Sequence, residues 1–193
     1  MQNAEGFSRR SLLRAALVAN LHPLLGAAPG IIKADHGQIK PPMPLPDMEL
    51  VRHNGARTRL LPLVDGHVTA VQLIFTRCTT TCPIEGSIFQ RVQKLLPDMA
   101  QRGIQLLSLS NDPEEDGPKA LSAWLRRFHA GPNWIAAAPL GADLAKLNEI
   151  FGKSSDSADH STQVQILDRH GRLVWRTFEL PRAEEIALIL QKV

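Results

Sequence analysis

Cys78 and Cys82 are the only two cysteines in the 193-residue chain, and they stand four positions apart. Two cysteines cannot staple a fold of this length, so the pair points to chemistry and not to a structural bridge. A long apolar, β-branched run, residues 68–75, ends just before them, and Pro83 follows at a position that suits the start of a helix. The pair therefore sits where a buried strand gives way to a helix, the place at which open α/β sheets put their reactive groups. With Pro83 opening the helix, Cys82 is expected at the N-cap and Cys78 in the loop. Unpaired N–H groups and the helix dipole favour thiolate there, so at least one cysteine pKa should be lowered. Arg77 adds a cation beside Cys78 that should act in the same direction.

By itself a Cys-x-x-x-Cys pair is ambiguous between redox work and metal binding. The spacing is one residue longer than the usual redox motif, and a third ligand would decide the matter. His160, in Ser157-Ala-Asp-His-Ser161, lies in a polar loop just before an apolar strand at residues 164–167. Two thiolates and one imidazole are too few for a closed structural zinc site, which takes four ligands. They suit Cu(I), which prefers soft thiolates, and Cu(II) with an additional weak ligand. The other histidines, His22, His36, His53, His67, His129 and His170, are read as solvated side chains, and Met43 and Met48 as spacers.

Strand, helix, strand, helix, strand, helix, hairpin, helix is the order that must position these residues. Short strands at residues 48–52 and 57–61 flank Asn54-Gly55, a strong hairpin signal. After the cysteines, Ile88, Val92, Leu95, Leu96 and Met99 recur at helical spacing until Gly103. A second buried strand spans 104–110, a helix 118–128, a short strand 134–138 and a helix 142–151. Strands at 164–167 and 173–178 enclose Asp168-Arg-His-Gly171, and a helix over 183–191 closes the chain. This is an α/β plan with a central mixed sheet flanked by helices and an N-terminal β-hairpin, and a thioredoxin-like arrangement fits it. In that arrangement the His160 loop returns to the cysteine end of the sheet.

The apolar fraction of 44% and charged fraction of 21% are those of an ordinary globular domain, which excludes disordered, collagen-like and polytopic membrane chains. Arg9, Arg10 and Arg14 stand against the single acid Glu5 in the first 28 residues; without that segment the net charge falls from +3 to +1, and no case for nucleic acid remains. Ser8-Arg-Arg-Ser-Leu-Leu-Arg14, an interrupted apolar stretch and Gly26-Ala-Ala28 resemble a twin-arginine export signal. Residues 1–30 are accordingly assigned to a signal peptide, 31–46 to a proline-rich linker in polyproline geometry, and 47–193 to the domain. The apolar stretch is too short to span a membrane comfortably, so the mature protein is expected as a periplasmic monomer without an integral span, tethered only if the signal is uncleaved.

Phe75-Thr76-x-Cys78-x-x-x-Cys82-Pro83 resembles the signature of the Sco/SenC proteins, copper chaperones of cytochrome c oxidase assembly. Asp159-His160-Ser161 with the turn at Asp168 to Gly171 is similar to the family's histidine segment, and residues 109–116 and 46–55 match two further segments in order. The resemblance covers roughly residues 45–193. It implies a thioredoxin-like fold and one copper ion held by Cys78, Cys82 and His160. Thr79-Thr80-Thr81 departs from the Pro-Asp-Val common in the family, and the chain has no tyrosine.

The leading expectation is a metallochaperone with no turnover that delivers copper to the binuclear site of the oxidase's copper-site subunit. An enzyme reading makes it a periplasmic thiol–disulfide oxidoreductase that reduces the oxidase copper-site cysteines. A copper or redox sensor would use the same residues, whereas a peroxiredoxin-type peroxidase lacks its required cysteine pattern. Cα atoms one helical turn apart lie within bridging range, so Cys78 and Cys82 could close a disulfide that gates the metal, with a partner thioredoxin-like protein supplying the reductant.

Overall fold

A computed structural model of the chain describes residues 36–151 and 161–193. Its first strand is β1 (Gly37–Pro44), followed by β2 (Glu49–Arg52) and β3 (Arg57–Arg59), a short helix α1 (Leu60–Val64) and strand β4 (Val68–Ile74). Helix α2 (Cys82–Leu95) and the single turn α3 (Met99–Arg102) lead into β5 (Ile104–Ser110). Helix α4 (Pro118–Arg127), β6 (Trp134–Pro139) and α5 (Asp143–Phe151) come next, then β7 (Gln165–Leu167), β8 (Arg172–Arg176) and α6 (Ala183–Lys192). The strands form one mixed sheet in the order β1-β8-β7-β4-β5-β6-β2-β3. Strands β4, β5 and β6 run parallel, with Val68 opposite Ile104 and Leu106 opposite Trp134, while β7 and β2 flank them antiparallel.

Every residue of β4 and β5 is buried, because side chains alternate between two cores. Val68, Ala70 and Ile74 face Phe89 and Val92 of α2, Leu121 and Trp124 of α4, and Ile186 and Leu190 of α6. Val71 and Leu73 belong to the opposite core with Leu60 and Val64 of α1 and Leu147 and Phe151 of α5. The result is the expected α/β architecture with helices on both faces. It places the end of β4 and the start of α2 side by side at one end of the sheet.

One close approach fixes α2 against α4. A Cβ at Gly86 would lie 2.3 Å from the Phe128 ring, and that ring is itself held edge-on to Trp124. Gly86→Ala should therefore lower the stability by about 1–3 kcal/mol through overpacking, although alanine is the better helix former. A urea titration checks this; a midpoint equal to or above wild type would show that Phe128 moves aside freely.

Five local expectations are corrected. The proline-rich segment expected as a polyproline linker is part of β1, which pairs antiparallel with β8 through Gly37 opposite Arg176 and Met43 opposite Leu173. Prolines are tolerated because β1 is an edge strand and its register shifts between Gln38 and Met43, where Pro41 and Pro42 have no N–H to contribute. Met43 and Met48 are thus not spacers in a linker: Met43 lies in that strand, and Met48 is fully buried in the core. The strand expected at 57–61 stops at Arg59, because Leu60 and Val64 bury together one helical turn apart. The helix expected to reach Gly103 ends at Leu95, two residues before Pro97, and restarts as α3, which Gly103 closes at φ +60°. The last strand ends at Arg176, which frees Thr177 to Leu180 to form a loop at the cysteine end of the sheet.

Candidate metal centre

The cysteine loop is held from below by Asp116, whose side chain is 1% exposed. Its carboxylate accepts hydrogen bonds from the Thr76 N–H at 3.1 Å, from the Thr76 hydroxyl and from Ser110 Oγ at 2.7 Å. This ties the residue that follows β4 to the end of β5. The Cys78 N–H then donates to the Phe75 carbonyl at 3.0 Å, turning the chain back towards α2. Thr81, not Cys82, is the N-cap, so Cys82 is the first helical residue and Pro83 the second, one position later than expected. The Thr81 carbonyl accepts from Ile84 and Glu85 in the first turn.

The two sulfurs differ sharply in environment. Burial works against ionising Cys78, but hydrogen bonds from the Thr80 hydroxyl, from the Cys82 and Thr80 N–H groups and from the Cys82 thiol outweigh it and bring its pKa down to about 6. The Thr80 and Thr81 hydroxyls lie 3.5 and 3.9 Å from the sulfur. The Arg77 guanidinium pairs with Glu115 at 3.1 Å and Asp112 at 3.8 Å. Cys82 is wholly buried, and burial pushes its thiol far up despite a hydrogen bond from the Phe75 N–H. The carboxyl of Glu85 and the charge of Cys78 add to the rise. At neutral pH the pair is therefore one thiolate, half-buried, accepting a hydrogen bond from one buried thiol.

Two acids missed by sequence reasoning complete the surroundings. Glu85 is 1% exposed, and its carboxyl faces the Cys82 thiol. Burial and then the charges of Glu179 and Cys78 raise its pKa to about 9, so it stands protonated against Cys82. Its position three residues after Cys82, on the same side of α2, was the available signal. Glu179, in the loop after β8, accepts from the Thr162 N–H and Oγ1, both at 2.5 Å. It thereby anchors the chain two residues beyond His160.

The structure brings Cys78 and Cys82 together, as free thiols. His160 lies in the stretch 152–160, outside the described residues. Among the described residues no group of three or more ligands is assembled. What is present is a soft two-sulfur donor set with one sulfur already ionised, which fits a thiophilic ion such as Cu(I) and equally fits thiol–disulfide exchange.

The SCO1/SenC family model matches residues 43–193. The chain belongs to the SCO1/SenC family. No curated protein matches it, but solved structures share its fold. A SCO1/SenC family lipoprotein from Bacillus anthracis is 19% identical, with a TM-score of 0.67 over 80% of this chain and 98% of that one. Apo Sco1 from Thermus thermophilus is 25% identical, with a TM-score of 0.63 over 80% of this chain and 94% of that one. ScoI from Bradyrhizobium japonicum, solved with copper bound, is 23% identical, with a TM-score of 0.59 over 77% of this chain and 98% of that one. These likenesses span the thioredoxin-like sheet and its helices in this SCO1/SenC protein.

Proposed function

We infer that this SCO1/SenC protein is a copper-binding chaperone that holds one copper ion as cargo through Cys78, Cys82 and His160. The observation that carries this reading is the contact between two sulfurs at the β4–α2 junction, one a thiolate near pH 7, in a family whose relative from Bradyrhizobium japonicum is solved with copper bound. Cys78 is ready to ligate, whereas Cys82 must lose its proton as the ion binds, so loading releases close to one proton per copper. The recipient is the copper-site subunit of cytochrome c oxidase. The resemblance of the Arg9-Arg10 segment to an export signal supports work in the periplasm, and an oxidising compartment makes a thioredoxin-like reductant the companion that restores the thiols. Among the described residues no helix is long and apolar enough to cross a membrane.

The test is anaerobic titration of the reduced protein with copper. It should bind one Cu(I), and Cu(II) should give intense sulfur-to-copper charge-transfer absorption. His160→Ala should keep Cu(I) on the thiolates but weaken Cu(II) by at least about tenfold, the cost of roughly 1.4 kcal/mol. Unchanged Cu(II) affinity would remove His160 from the site.

The asymmetry of the cysteines favours a second reading, a thiol–disulfide oxidoreductase acting on the same oxidase cysteines. A half-exposed thiolate at Cys78 backed by a buried thiol is the arrangement that attacks a disulfide and then resolves it. Rapid reduction of a disulfide substrate together with failure to retain stoichiometric copper would select this reading.

A further inference from the structure

At the opposite end of the parallel strands from the cysteines, an open cleft of about 550 Å³ is lined by Arg52, His53, Ser122, Arg126, His129 and Trp134, among others. Cys78 follows the C-terminal end of β4, whereas Trp134 opens the parallel strand β6, which fixes the separation. The volume is in the range of small-molecule sites. Two guanidinium groups and two imidazoles converge on it, and no carboxylate is among its lining residues.

Several surface arginines carry their own counter-charge. Arg59 pairs with Asp47, Arg102 with Asp98 and Arg172 with Asp168, each within 2.6 Å. Neither Arg52 nor Arg126 forms an ion pair among the described residues, and Arg52 Nε is buried without an acceptor. A buried charged donor left without an acceptor is destabilising. Burial, and then the positive charge of Arg52, also disfavours protonation of His53, while its bond to the Ala136 carbonyl opposes this. The cleft is thus electrostatically incomplete in a single sense: it lacks a negative charge.

Its walls are nonetheless fixed. The His53 N–H donates to the Ala136 carbonyl at 2.8 Å, and Ser122 Oγ donates to the His53 carbonyl at 2.7 Å, which joins β2 to β6 and α4. With Nδ1–H given to the Ala136 carbonyl, His53 Nε2 can donate to an oxyanion only as the imidazolium, the form that a bound negative charge favours. His129, just past the end of α4, is held at φ +52°, a left-handed conformation that residues with a side chain rarely adopt.

We propose that this cleft is a binding site for a small, multiply charged oxyanion, a phosphate or a carboxylate, held by Arg52 and Arg126 with His53 and His129. The forked guanidinium donors match either oxyanion in two-point contact. Such a ligand supplies the acceptor that Arg52 Nε lacks and places a negative charge beside Arg126. The reading is independent of the copper assignment, because no residue is shared with the cysteine end.

The test follows amide and imidazole NMR signals of the reduced protein on addition of inorganic phosphate, citrate or chloride at matched ionic strength. Saturable shifts centred on His53, Arg126 and His129 are expected with phosphate or citrate, and which of the two binds more tightly assigns the ligand class. Arg52→Gln and Arg126→Gln should each weaken that binding by about tenfold or more, as expected for loss of a charge-assisted hydrogen bond. If Arg52→Gln fails to fold, Arg126→Gln decides, since Arg126 is exposed at the end of α4. A response to phosphate and citrate no greater than to chloride, or undiminished binding in Arg126→Gln, would overturn the proposal.

Discussion

Iodoacetamide should alkylate Cys78 of the reduced, metal-free protein more than about 100-fold faster than Cys82 at pH 7, because the thiolate is the nucleophile. With a pKa of about 6, Cys78 is mostly ionised at pH 7. Cys82 is raised far above that pH by burial and is fully shielded from solvent as well. The Cys78 rate should climb about tenfold per pH unit below pH 6 and level off above it. Peptide mass spectrometry after timed quenching separates the two sites. Thr80→Val supplies the control, since the Thr80 hydroxyl is the strongest of the groups that favour the thiolate. Its loss should move the midpoint upward by about one pH unit, the equivalent of one hydrogen bond to a charged group. A midpoint in the ordinary thiol range in the wild-type protein would remove the asymmetry on which both functional readings of the pair depend.

That asymmetry marks the boundary of what the sequence discloses. The cysteine junction was legible because residues 68–75 are a β-branched run too apolar for anything but a buried strand, and because Pro83 starts a helix. The hairpin was legible from Asn54-Gly55, and Gly55 does adopt φ +82° at that turn. β1 was not, because its prolines argue against a strand and its partner β8 lies some 130 residues later in the chain. The roles of Asp116 and Glu85 were hidden for a related reason. Each is an ordinary acid in the sequence, and only the return of β5 and of the loop after β8 encloses them. Arg77 stands beside Cys78 in the sequence, but its pairing with the acids of the 112–116 loop shows only once β5 returns. Local pattern determines which residues meet water or core; pairing across distant segments determines which charges survive there.

Replacing Glu85 with glutamine should stabilise the reduced, metal-free protein at pH 7 by about 1–3 kcal/mol, and the gain should depend on pH. Glu85 has its pKa raised from 4.5 to about 9 in the folded chain, chiefly by burial. In the unfolded chain it ionises above pH 4.5 while the folded form keeps its proton, so folding becomes progressively less favourable as pH rises from 4.5 towards 9. At pH 7 the two and a half units above the unfolded pKa correspond to a penalty of about 3 kcal/mol. Glutamine cannot ionise and escapes this penalty, but it buries an amide with one more N–H donor to satisfy than the protonated carboxyl, which trims the gain. Urea titrations of both proteins at pH 4.5, 7 and 8.5 isolate the effect, because every other ionising group is common to the two. The stability gap should be near its minimum at pH 4.5 and widen at each step. A gap that stays flat would mean that Glu85 is ionised and solvated in the folded protein. A gap that widens means that Glu85 stays neutral beside Cys82 in the folded protein, where a carboxylate would oppose formation of the second thiolate.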